Sequence, residues 1–188
     1  MTTPPDFVAG SVLTAAQMNA IGLWETKSLT TSATPVSSVD VTSCFTTDYD
    51  TYFVSFTATT NGVLAAHGVQ LLSGTTASTT GYYYNYIVMN SGSNTVTGTA
   101  GNNQSTFYVG EQAASAGIFR MWMIVQNPFQ AEITKLTSDH SIMLSGPVNY
   151  QWRLTGMHNV ATSYDGFKFL AGAQTFNTAT IRVYGYRK

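Results

Sequence analysis

The chain has a single cysteine, Cys44, among 188 residues, so no disulfide can form within it. Its fold is expected to rest on packing alone, with Cys44 as a small apolar core residue. Charge is equally sparse. Asp, Glu, Lys and Arg make up 9% of the chain, against about a quarter in a typical soluble domain, so Thr, Ser, Asn and Gly carry the polar surface. Eight basic and nine acidic residues leave a net charge of −1. No basic patch stands out, which speaks against a nucleic-acid partner. No apolar run nears the ~18 residues of a membrane span, and no membrane insertion is expected. The opening residues lack the basic region and apolar stretch of a secretory signal.

Catalytic signatures are missing too. His67, His140 and His158 fall in neither an H-x-x-x-H nor an H-E-x-x-H arrangement, so no metal and no cofactor are expected. Phosphate loops, dinucleotide fingerprints and nucleophile elbows are absent. Asp139-His140-Ser141 is contiguous, whereas a catalytic triad is assembled in space, so the trio reads as a polar turn. The acids are too scattered to mark a glycosidase pair, and Asp48 and Asp50 read as turn caps. A non-enzymatic role is the expectation.

What is present is a core. Hydrophobic residues make up 44% and aromatics 13%, far above a disordered composition and enough to fill one domain of this length. Its pattern is that of strands. Residues 117–126 place Phe119, Met121, Met123 and Val125 on one face and Ile118, Arg120, Trp122 and Ile124 on the other. With both faces apolar, this reads as a central strand covered on two sides. Residues 179–187 set Ile181, Val183 and Gly185 against Arg182, Tyr184 and Tyr186. Residues 151–160 align Trp152, Leu154, Gly156 and His158, so His158 reads as a satisfied core or interface histidine and not as a ligand. Turns are expected at Asn61-Gly62, Ser73-Gly74, residues 91–94, residues 101–103 and Asn127-Pro128. The fold class is all-β: an antiparallel β-sandwich of the jelly-roll kind, with about nine to eleven strands over residues 24–188.

Residues 1–23 differ from the rest. Pro4 and Pro5 impose an extended arm. Thr14-x-x-Gln17 is a capping box, with Leu13 and Met18 at the staple positions, so one short helix follows. About two turns of helix are unstable alone in water and must dock. Phe7, Val8, Val12, Leu13, Met18 and Ile21 are the side chains available for anchoring to a partner. Packing back onto the chain's own body is the competing expectation.

Residues 82–86 hold four tyrosines, with Tyr82, Tyr84 and Tyr86 on one strand face and Tyr83 opposite. Their amphipathic rings suit a core or subunit interface, and equally stacking on sugar rings. Several strands are apolar on both faces, and copies of the chain around a symmetry axis would cover the second face. Covering by the N-terminal segment would serve as well.

The run from Phe7 to Asn19, FVAGSVLTAAQMN, resembles the "F-x-A-G-x-x-L-T-A-A-x-x-N" opening of small structural proteins of tailed bacteriophages. Asp48-Tyr49-Asp50-Thr51-Tyr52 is similar to their "Y-D-x-Y" strand entry, and the turn Asn127-Pro128 and the ending Ala179-Thr180-Ile181-Arg182-Val183-Tyr184-Gly185-Tyr186-Arg187 resemble their closing part. The resemblance implies a virion structural protein with a β-sandwich body, assembled as a homotrimer among other virion proteins of the tail or capsid. The chain has no long fibrous shaft, which favours a short tail-associated or fibre-like appendage. Capsid decoration is the alternative within the virion. A glycan-binding receptor module that meets host-surface glycan through Tyr82, Tyr83, Tyr84 and Tyr86 is the alternative of another class.

Overall fold

The computed structural model describes residues 23–31, 34–61, 65–112, 118–143 and 148–187. The expected arm and helix lie outside the described residues, and with them Phe7, Val8, Val12, Leu13, Met18 and Ile21. Thirteen strands are described: β1 (Leu23–Thr31), β2 (Ser38–Val41), β3 (Tyr49–Thr60), β4 (Ala65–Ser73), β5 (Thr76–Ala77), β6 (Tyr82–Asn90), β7 (Thr95–Gln104), β8 (Phe107–Gln112), β9 (Ile118–Gln126), β10 (Thr134–Met143), β11 (Asn149–His158), β12 (Gly166–Leu170) and β13 (Phe176–Arg187). The fold class is therefore all-β, with more strands than the nine to eleven expected.

Every strand pairing is antiparallel. One sheet runs β1-β13-β3-β9-β10-β11-β6-β7. The other runs β2-β12-β4-β5, with β8 also paired to β4. The sheets face each other in a sandwich-like arrangement. Val39, Val41, Val69, Leu71, Phe167 and Phe169 of the smaller sheet share one core with Val54, Phe56, Phe119, Met121, Ile181 and Val183 of the larger. Phe56 and Phe169 stack across the gap with centroids 4.0 Å apart. Apolar burial on this scale is the main favourable term in folding.

Alternation writes the larger sheet. In β9, Phe119, Met121, Met123 and Val125 are buried, while Ile118 and Trp122 face outward at 48% and 38% exposure. β9 is central within its sheet, between β3 and β10, but its outer face is open among the described residues. In β13, Ile181 and Val183 are buried, and Tyr184 and Tyr186 point out.

Two expected turns are strands instead. Asp139-His140-Ser141 lies in β10, paired on both sides, with His140 in the core. Gly101-Asn102-Asn103 lies in β7, where a register shift opposite Tyr82 and Tyr84 is absorbed by Asn103 at φ 50°. Asparagine tolerates that left-handed conformation better than most residues. The turns at Ser73-Gly74 and at residues 91–94 are found as expected, and Asn127, at φ 54°, ends β9.

Two tyrosine hydroxyls fasten chain crossings. Tyr52 Oη donates to the Thr46 carbonyl (2.9 Å) and accepts from the Thr46 amide (2.7 Å). Tyr82 Oη accepts from the Leu71 amide (2.8 Å) and donates to the Ser78 carbonyl (3.1 Å). Buried polar groups need such partners. Cys44 is buried, and desolvation first, then the Asp165 carboxylate, raises its thiol well above the ordinary value. A thiol held neutral in this way is unreactive.

Candidate functional site

The outer face of the larger sheet carries two features, one aromatic and one concave. The aromatic patch follows from register. Leu23 pairs with Tyr186, Tyr184 with Phe53, Phe53 with Ile124, and Ser55 with Trp122. Alternation turns all of these side chains outward. Phe53 sits between the Trp122 ring at 6.4 Å and the Tyr184 ring at 6.3 Å. Leu23 and Tyr186 are 43% and 38% exposed, so the patch reaches the β1 edge of the sheet.

A polar rim borders it. Asp139 lies opposite Trp122 on β10 and accepts from Arg153 Nε at 2.7 Å. Gln151 Nε2 donates to both carboxylate oxygens of Asp139, at 2.9 and 3.1 Å. An apolar patch with polar groups along its border has the anatomy of a protein interface.

Farther along the sheet, β10, β11, β6 and β7 enclose a groove of about 510 Å³. Tyr83, Asn85, Ala100, Lys135, Thr155 and Met157 are its outward-pointing lining residues. Register brings them together: Lys135 faces Met157, which faces Tyr83, and Thr155 faces Asn85, which faces Ala100.

The four tyrosines are thus divided by the pleat. Tyr82 is fully enclosed, and burial raises its phenol above the ordinary value. Tyr84 and Tyr86 are half-buried on the inner face, where Tyr86 packs 4.8 Å from Tyr108. Tyr83 alone of the four points outward.

The histidines are structural. His158 is buried, with Nε2 2.9 Å from the Thr80 carbonyl oxygen and Nδ1 3.3 Å from Tyr164 Oη. His140 lies between the Phe119 and Trp152 rings, and its two nitrogens each approach a backbone carbonyl oxygen, of Arg120 and Glu111, at 2.9 Å. A neutral imidazole donates only one of those bonds. Burial lowers the His140 pKa, and the two carbonyls pull it back up. Among the described residues no group of three or more His, Cys, Asp or Glu is placed to hold a metal ion.

No protein-family model, curated protein or solved structure matches this chain.

The patch and the groove are therefore read from their own chemistry. The outward residues of β13 were visible as alternation, since Tyr184 and Tyr186 oppose Ile181 and Val183 in the sequence. Phe53, Lys135, Asn85, Thr155 and Met157 had no such signal as a set. Only strand order makes them neighbours.

Proposed function

We propose that this chain is a non-enzymatic bacteriophage virion structural protein, a tail-associated or fibre-like appendage. Its body, residues 24–188, assembles as a homotrimer, and its N-terminal segment anchors it to a neighbouring virion protein. The observation that carries the assembly part of this reading is the aromatic patch of Phe53, Trp122, Ile124, Tyr184 and Tyr186, which no other described residue covers. Covering a half-exposed aromatic contributes on the order of 1 kcal/mol at about 25 cal/mol per Å². Several such rings on each subunit give a seam.

The strand order supports a jelly-roll body. β1-β13-β3-β9 faces β2-β12-β4-β8, so successive strands β1 to β4 alternate between the sheets, and β8, β9, β12 and β13 return beside them. Such an order is what a double Greek-key connection would give, a connection found in viral capsid and lectin domains alike. Fold alone does not fix function, and the virion assignment rests on the resemblance at Phe7 to Asn19. Residues 1–22 join the body at Leu23, beside Tyr186 and hence beside the patch.

Deletion of residues 2–22 tests the anchor. The truncated body is expected to fold, with an unchanged melting temperature, and to be missing from assembled particles. Normal incorporation of the truncated chain would rule the anchor out.

A further inference from the structure

We infer that the groove between Tyr83 and Lys135 is a saccharide site, and that it takes a pyranose bearing a carboxylate. This goes beyond the virion reading and does not depend on it. The groove sits on strands that the two facing four-stranded sets do not need. β6 and β7 lie between β4 and β8 in the chain, β10 and β11 lie between β9 and β12, and together they extend the larger sheet. Its volume lies within the roughly 300–1,000 Å³ of small-molecule sites.

The lining selects the chemistry. Tyr83 and Met157 give an apolar platform, and Asn85 and Thr155 add neutral donors and acceptors on the adjoining row. A pyranose offers the matching pair of surfaces, a C–H face to lie on an aromatic ring and hydroxyls to meet amides and hydroxyls. Lys135 is the one charged side chain among the described residues that line the groove, and its ammonium favours an anionic substituent. A peptide added as a strand would take the free edge of β7, and this groove lies on the sheet face beside that edge.

The floor is held from beneath. A Cβ on Gly101 would come within 2.4 Å of the Tyr84 ring, and one on Gly156 within 2.8 Å of the Phe107 ring. The two glycines leave room for those rings against the reverse side of the sheet. Together with Ala100 they add no bulk above it. A floor fixed before binding lowers the ordering cost that a weak ligand must meet.

Saturation-transfer NMR on the full chain tests the site, with methyl β-glucuronide and methyl β-glucoside as probes. Both sugars should receive saturation, with the glucuronide bound about tenfold more tightly, as one charge-assisted contact allows. Tyr83→Ala should abolish transfer to both. Lys135→Met should leave the glucoside unchanged and reduce the glucuronide to its level. Both side chains point outward, and if Tyr83→Ala fails to fold, the Lys135→Met comparison decides alone. The inference is overturned if neither sugar receives saturation, if transfer survives Tyr83→Ala, or if Lys135→Met leaves the glucuronide preference intact.

Discussion

Replacing Phe56 with alanine is expected to cost about 3–5 kcal/mol, a large part of the roughly 5–15 kcal/mol that holds a domain folded. Phe56 is 1% exposed and lies where the two sheets meet. It stacks on Phe169 at 4.0 Å and meets Phe176 edge-on at 5.3 Å and Phe119 at 5.7 Å. Truncation removes the aromatic surface and leaves a cavity that three rings, each fixed by its own strand, cannot close. A denaturant titration reads the loss as a lower midpoint. The matched Ile118→Ala change, on the exposed side of β9, should stay within about 0.5 kcal/mol of the parent. A Phe56→Ala cost below about 1 kcal/mol would mean that the sheets are not sealed around this residue.

Acid should destabilise the fold well before the carboxylates titrate, and His67 is the main reason. It is 1% exposed, with the Phe119 ring at 4.4 Å and the Phe176 ring at 5.6 Å. Burial lowers its pKa from 6.5 to about 4, neighbouring His140 adds to the shift, and a weak contact with the Leu170 backbone opposes it. The folded chain therefore refuses a proton that the unfolded chain accepts. Stability is fully present above the unfolded value of 6.5 and is lost as pH falls from there towards about 4. At 1.36 kcal/mol per unit, His67 accounts for about 2–3 kcal/mol between pH 7 and pH 4.5. His140 and His158 are shifted in the same direction by burial and add to it. Urea titrations at the two pH values of the parent and of His67→Leu isolate the effect. The variant should lose that part of the pH dependence, and an unchanged slope would assign the acid sensitivity to other groups.

The layered core was legible in the sequence because one-sided burial writes alternation. Ile181 to Gly185 names its own inner face, whereas in β9 apolar residues fall on both faces and only the structure shows that Phe119, Met121, Met123 and Val125 point inward. Strands without one-sided burial were harder to see. β7 reads TVTGTAGNNQ and is exposed along nearly its whole length, so its glycines and asparagines imitate a turn. β4 is buried on both faces, because Gln70 Nε2 reaches the Ser105 carbonyl and Thr106 Oγ1 the Val69 carbonyl over its outer side. His140 sits among polar neighbours in the chain, and only pairing of β10 with β9 and β11 shows that it points inward. The candidate site was legible in one residue. Tyr83 was already opposite its three neighbours, whereas Lys135, Asn85, Thr155 and Met157 become its partners through the order β10-β11-β6-β7.

The same rule accounts for the patch. Both faces of β9 are apolar, and a sheet with one face in water ordinarily shows polar residues there. In the single chain the second face has no cover among the described residues, although Trp122, Phe53 and Tyr184 are positioned to be covered.

The most direct measurement is the solution mass of the full chain and of Trp122→Asp by light scattering. A subunit seam on this face predicts three times the 20.3 kDa chain mass for the parent and the single-chain mass for the variant. A parent that runs at 20.3 kDa, or a variant that keeps the parent's mass, would contradict it.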